Sequence, residues 1–184
     1  GHLLYIRIAL KCHIISAILY IIRSKFIKMK LLPCLFAFIL LIQVSNGVII
    51  NEIMADPIAD ETLNEWIELY NNEDRQINIS GFLIGDDEDN DTTEGGLYGK
   101  EGAIIGPFGF AVITDDATRA YNNFNVSPDA VRLYIDDSSI GNGLSNGGET
   151  IYLYDSNGNL MHNLSYSQTT EGLSWAFVNN SLYK

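Results

Sequence analysis

The chain has no acidic residue before position 48 and no cysteine after it. Its first 47 residues hold six Lys and Arg (Arg7, Lys11, Arg23, Lys25, Lys28, Lys30), which leaves five basic and all 23 acidic residues to the 137 that follow, a formal charge of −18. The whole-chain value of −12 averages two different materials. Cys12 and Cys34 both precede Val48, so the later segment has no disulfide framework, no thiolate metal site and no cysteine nucleophile. His2 and His13 also lie upstream, leaving His162 alone, which excludes a histidine-rich zinc site. So acidic a surface repels phosphate backbones and anionic headgroups, so nucleic acid is not an expected partner. Cations, basic proteins, or solubility alone remain as uses for the charge. The 137 residues suffice for one domain with a real core and are too few for two comfortable ones.

The upstream segment reads as a targeting signal. "MKLLPCLFAFILLIQVSNG", Met29 to Gly47, places a basic residue, Lys30, before an apolar stretch from Leu31 to Val44, with Ser45 and Gly47 at the −3 and −1 positions of a cut before Val48. Those 14 residues are short for spanning a bilayer and fit a secretory signal peptide. The expectation is a secreted or cell-surface protein whose mature domain is not inserted in a membrane. Residues 1–28 open with Gly1 and carry a second largely apolar stretch, Leu3 to Ile22. They read as translation upstream of a start at Met29, or as half of a membrane hairpin with its basic loop, Arg23 to Lys30, in the cytoplasm. The first reading is preferred because Arg7 and Lys11 would lie inside the span, at a few kcal/mol each.

From Val48 no stretch keeps a helical period for three turns. Short runs rich in Ile, Val, Leu, Tyr and Phe predict strands at Val48 to Met54, Glu65 to Tyr70, Gly81 to Gly85, Phe110 to Thr114, Ala130 to Ile135, Thr150 to Tyr154, Leu160 to Tyr166 and Ser174 to Val178. In "DSNGN", Asp155 to Asn159, the Asn157-Gly158 pair predicts the positive φ angles of a tight hairpin. In "IGPFG", Ile105 to Gly109, Pro107 presets one turn dihedral and the glycines are expected to absorb the rest. Eight short strands with such punctuation describe an all-β, antiparallel sandwich.

Six blocks then occur in a recognisable order: "VIINEIMADP" (from Val48), "NEWIELYNN" (from Asn64), "ISGFLIGDD" (from Ile79), "IIGPFGFAVIT" (from Ile104), "GLSNGGETIYLYD" (from Gly143) and "GLSW" (from Gly172). Together they resemble the lamin-tail domain family, in particular its microbial exported type. That resemblance implies an immunoglobulin-like antiparallel β-sandwich over 48–184, in exported or surface proteins and often beside other modules. Family members usually continue beyond the final Ser-Trp with a segment rich in Pro and Gly, so the domain reads as truncated near Lys184 or as part of a longer protein. The loop Asp86 to Tyr98 is more acidic than the resemblance requires.

Several motifs invite a chemical reading. Gly143 to Gly147 matches G-x-S-x-G, yet "GETIYLYD" follows as a strand rather than the helix a nucleophile elbow needs, and a glycine turn is the preferred reading. Glu52, Glu65 and Glu68 could supply a carboxylate pair for glycoside hydrolysis, but as strand residues they are expected to hydrogen-bond, cap sheet ends or face solvent. Asp87, Asp89 and Asp91 repeat the D-x-D-x-D spacing that wraps calcium. Thr92 replaces the required glycine and Tyr98 the bidentate glutamate, so a loose Ca²⁺ site is weighed against a solvated acidic loop. Trp66 and Trp175 read as core. Asn78, Asn90, Asn125, Asn163 and Asn179 begin N-x-[ST] sequons, of which Asn125 is the poorest because Pro128 follows.

The sequence thus predicts a non-catalytic exported module for adhesion or protein interaction at the cell surface, within a larger protein and without a certain cofactor. The alternative is an accessory domain of an extracellular hydrolase or nuclease whose catalytic module lies beyond Lys184. In an exporting host, translation from Met29 is expected to yield a mature chain beginning at Val48, which N-terminal sequencing of the secreted product checks. Retention of Leu31 to Val44 in a membrane fraction would identify an anchor instead.

Overall fold

In the computed structural model, residues 47–58, 60–94, 102–115, 118–178 and 181–184 are described. The signal-peptide reading of Met29 to Gly47, apart from its last residue, and both readings of 1–28 lie outside them. Twelve strands form along this part of the chain: β1 (Val48–Met54), β2 (Trp66–Asn71), β3 (Ile77–Asn78), β4 (Leu83–Gly85), β5 (Asn90–Glu94), β6 (Ile104–Ile105), β7 (Phe110–Thr114), β8 (Val131–Ile135), β9 (Thr150–Tyr154), β10 (Leu160–Ser165), β11 (Trp175–Val178) and β12 (Ser181–Tyr183). A 3-10 turn (Glu61–Leu63) and a one-turn helix, α1 (Ala120–Asn123), interrupt them. Ten strands make one sheet in the order β10-β9-β4-β5-β8-β7-β2-β1-β11-β12, and β3 pairs with β6 beside it. Among the described residues no helix is long and apolar enough to cross a membrane.

Each predicted strand is present, within a residue or a few of its expected ends. The four additional strands are short or polar, as "NDTTE" in β5 illustrates, and carry little apolar alternation to read. All pairings are antiparallel except one: β7 and β8 run parallel, with Ala111 opposite Val131 and Thr114 opposite Tyr134. A parallel neighbour needs a crossover, and here α1 lies on it. The hydroxyl of Tyr121 sits 2.7 Å from the Val112 carbonyl and 2.6 Å from that of Leu133, and its single proton bridges the two strands by alternating between them.

Two turns depart from expectation. Between β9 and β10 only Gly158 has a positive φ, of 80°, and Asn157 does not. The Asp155 side chain holds the turn instead: its Oδ2 accepts from Nδ2 of Asn159 (2.9 Å) and its Oδ1 from the backbone N–H of Asn159 (2.8 Å) and Asn157 (2.9 Å), and these bonds, the Asn159 side chain's foremost, keep its carboxyl below the usual range. In the turn before β7 it is Phe108, not a glycine, that takes the left-handed conformation, at φ 51°. Gly109 is needed there for space, since a Cβ would meet the Gly106 carbonyl oxygen at 3.1 Å where the Gly109 N–H bonds to it.

The core is rich in isoleucine. Ile50, Ile53, Ile67, Leu69, Ile79, Ile84, Ile105, Ile113, Leu133, Ile135, Ile140 and Ile151 are all fully buried, and they come from β1, β2, β4, β6, β7, β8 and β9 and, for Ile79 and Ile140, from the loops between strands. Period-2 alternation supplies them: Ile67, Leu69 and Asn71 point inward from β2, and Ile151 and Leu153 from β9. In β1 the alternation slips by one. Val48 and Ile50 face the core and so does Ile53, because a bulge at Asn51 inserts an extra residue opposite β2.

β10 has a matching irregularity at Met161, and the sheet curls until β10 lies against β1. There the Ile50 N–H donates to Nδ1 of His162 at 3.3 Å, while the imidazole packs edge-on against Phe177. To accept, His162 must be neutral with its proton on Nε2, and burial indeed pushes its pKa below the ordinary 6.5. A base whose folded pKa is depressed contributes stability above its unfolded value and loses it as pH falls. His162→Leu is therefore expected to cost about 1–3 kcal/mol at pH 8 by orphaning the Ile50 amide. That deficit should shrink as pH falls below 6.5, where unfolded wild type gains a proton that folded His162 cannot take without giving up its acceptor; urea melts of both proteins across pH 5–8 measure it.

Candidate functional site

The polar residues of the family-like motifs converge, and each is occupied with backbone. Asn64, buried, donates through Nδ2 to the Asp60 carbonyl (2.8 Å) and accepts from Nδ2 of Asn123 (2.6 Å), which ties α1 to the segment before β2. Asn71, fully buried, donates to the carbonyls of Arg75 (2.7 Å) and Gly106 (2.8 Å) and accepts the Glu73 N–H (3.0 Å). Glu65 accepts the Leu144 N–H at 3.3 Å, so "NEW" is joined to "GLSNGGE" across the interior. Glu149 closes the same loop by accepting from the Ser145 N–H (2.8 Å) and the Tyr166 hydroxyl (2.7 Å). Buried polar groups must be paired, and these are paired with loops.

Ser145 belongs to this loop scaffold. Its Oγ accepts the Gly147 N–H at 3.2 Å, and β9 follows rather than a helix. The acceptor nitrogen of His162 is committed to Ile50, so no base is offered to the serine. The G-x-S-x-G match is a turn.

The acidic run Asp87, Asp89 and Asp91 is split by the β4–β5 hairpin. Asp86 forms the turn, its Oδ1 accepting from the N–H of Glu88 (2.6 Å) and Asp89 (2.9 Å), and Gly85 leaves room for Asp89, whose carbonyl oxygen would stand 2.0 Å from a Cβ. Asp87 and Asp89 are exposed on this turn, whereas Asp91 points inward with Thr93 and accepts the Gly141 N–H at 2.5 Å. Burial raises the Asp91 pKa to about 6. The Gly141 N–H takes Oδ2 of Asp91, so a cation drawing on all three carboxylates would have to reach the other oxygen of Asp91. Among the described residues no group of three or more His, Cys, Asp or Glu is placed to hold a metal ion.

A different constellation lies on the outer face of β1, β2 and β7, under the crossover to β8. A cavity of about 540 Å³ is floored by Asn51, Glu52, Glu68 and Val112 and walled by Trp66, Phe110 and the segment Phe124 to Ser127. Trp66 and Phe124 meet edge to face with centroids 5.7 Å apart, and Phe110 stacks on Tyr70 at 4.9 Å while staying 38% exposed. The bulge residue Asn51 donates to Oε1 of Glu68 at 2.7 Å, and the Ser174 hydroxyl donates to Glu52. Burial raises the Glu68 pKa, and Glu52 adds to the rise. The Trp66 indole N–H is buried with no acceptor among the described residues.

Of the three glutamates singled out in the sequence, the fold brings Glu52 and Glu68 together in register and places Glu65 elsewhere. Trp66 and Trp175 are half-buried rather than central core. Phe110, Phe124 and Asn51 were not legible as site residues, because the crossover has no periodic pattern and the bulge appears only when β1 is paired. The alternation of Trp66, Glu68 and Tyr70 on one face of β2 was the available signal. Asn78, Asn90, Asn125 and Asn163 are exposed, and Asn179 lies outside the described residues.

A curled, all-β sheet whose buried polar groups pin its loops, with an aromatic groove open on its outer face, defines a β module. The chain belongs to the Lamin Tail Domain family, whose model matches residues 43–168, more than half of its length. The family is a non-catalytic module. No curated protein matches the chain.

Glu65 provides a test of the loop scaffold. Desolvation lifts its pKa to about 8, with Glu61, Asp115 and Glu149 adding repulsion and the Leu144 N–H opposing it. A carboxyl with a raised folded pKa favours folding most below its unfolded value and loses that contribution as pH rises through the folded one. Stability should therefore fall between pH 4.5 and 8 by up to about 1.4 kcal/mol per unit from this group. Glu65→Gln, which keeps the acceptor, should flatten that slope and melt higher than wild type at pH 8.5 in calorimetry; a steeper slope in the variant refutes the assignment.

Proposed function

We propose that this chain is an exported, immunoglobulin-like β-sandwich of the microbial type that serves as an adhesion or protein-interaction module at the cell surface, within a larger protein. The observation that carries this reading is the groove over β1, β2 and β7. Its aromatic rings and two carboxylates are left over after the polar motif residues have been spent on the loops. A half-exposed aromatic lining around a few polar groups is what a protein-binding surface needs. The signal-like stretch Met29 to Gly47 supports export. The acidic surface supports a protein rather than a nucleic-acid partner.

The experiment is a binding isotherm of the fluorescently labelled chain on intact cells of an exporting host, with unlabelled chain as competitor. Saturable, competed binding is expected, weakened at least tenfold by Phe110→Asp at unchanged melting temperature. Wild-type binding that is neither saturable nor competed overturns the proposal.

A further inference from the structure

The register of the sheet places a row of side chains across its outer face: Ala176 on β11, Glu52 on β1, Glu68 on β2, Val112 on β7 and Arg132 on β8. Glu52 and Glu68 stand directly opposite each other on neighbouring antiparallel strands, with Cβ atoms about 5 Å apart. Two like charges in that relation destabilise a sheet unless something lies between them. Arg132 does not do so. Val112 separates it from Glu68, and its guanidinium lies 5.6 Å from the centre of the Tyr121 ring. Among the described residues the one ion pair joins Arg75 to Glu73, away from this row. The carboxylate pair thus forms the floor of a cavity large enough for a side chain, with Phe110 and the Trp66–Phe124 pair as walls and no cation of its own.

Paired carboxylates beneath aromatic rings complement a cation that is flat, weakly hydrated and able to donate in two directions. A hard metal ion gains nothing from Trp66, Phe110 and Phe124, since it wants oxygen on all sides. An ammonium is a compact, strongly hydrated point charge. A guanidinium stacks on aromatic faces and forks its N–H groups onto carboxylates. We propose that the groove takes an arginine side chain of a protein partner, its guanidinium over Glu52 and Glu68 and its stem along Val112 and Phe110. This names the partner chemistry of the docking surface and rests on that reading. The half-desolvated state of Glu68, which resists ionising alone, is relieved when the cation arrives.

The test is a ¹⁵N-NMR titration of the full chain with acetyl-Gly-Arg-Gly-amide, beside peptides carrying citrulline or lysine in place of arginine. The arginine peptide should move the amides of Glu52, Glu68 and Val112 and the Trp66 indole N–H saturably. The citrulline peptide, equal in shape without charge, should bind at least tenfold more weakly, and the lysine peptide about fivefold. Glu68→Gln, in which Asn51 still has an acceptor, should weaken the arginine peptide about tenfold, and Phe110→Leu about fivefold. Equal affinity for arginine and citrulline, arginine binding unchanged by Glu68→Gln, or lysine binding as tightly as arginine would each overturn the proposal. If the arginine peptide fails while Phe110→Asp still abolishes binding to cells, the groove is a docking surface for another chemistry and only the arginine assignment falls.

Discussion

At Asn51, β1 carries one residue more than the stretch of β2 opposite it, and much of the molecule is arranged around that surplus. Without it, a strict two-residue alternation would turn either Val48 and Ile50 or Ile53 away from the core. With it, all three are buried, and the extra residue is left outside the ladder with its amide side chain free to reach Glu68. The bend a bulge imposes also helps to bring β1 round to β10, where a second irregularity at Met161 meets it. One insertion thereby serves the core, the curl of the sheet and the floor of the groove.

The same economy governs the polar residues. Asn64, Glu65, Asn71, Glu149 and Tyr166 are the groups a chemist would first inspect for catalysis, and each holds backbone or another of its kind. A buried carboxylate kept neutral near pH 7, such as Glu65, is in an enzyme a promising acid. Here its neighbours are the Leu144 amide and the carboxylates of Glu61, Asp115 and Glu149. Loops fixed in this way form a stiff frame, and a stiff frame leaves recognition to the surface.

Much of the fold was legible in the sequence because β-branched runs with turn residues between them have few other solutions. The eight apolar strands follow from that alone. β5 was hidden because "NDTTE" carries no apolar residue, and its inward positions are filled by Asp91 and Thr93, which hydrogen-bond to Gly141 and Ile79 instead. Asp91 is thereby turned inward, while Asp87 and Asp89 stay exposed on the hairpin turn. The parallel pairing of β7 with β8 depends on Tyr121 and the crossover, and Phe108 in a left-handed conformation depends on Pro107 before it and the close approach of Gly109 to Gly106. The groove is assembled from β1, β2, β7 and the crossover, which only tertiary pairing brings together.

The place of β1 within the sheet also sets an order of events. Its partners are β2, a few residues on, and β11, with Glu52 opposite Ala176. Nearly the whole domain must leave the ribosome before that second edge can be covered. Contacts so distant along the chain are slow to form, because the loop between them must close first. During synthesis β1 therefore waits as an apolar strand with one side unpaired, a state in which exposed apolar surface and an open strand edge invite capture by a holdase chaperone.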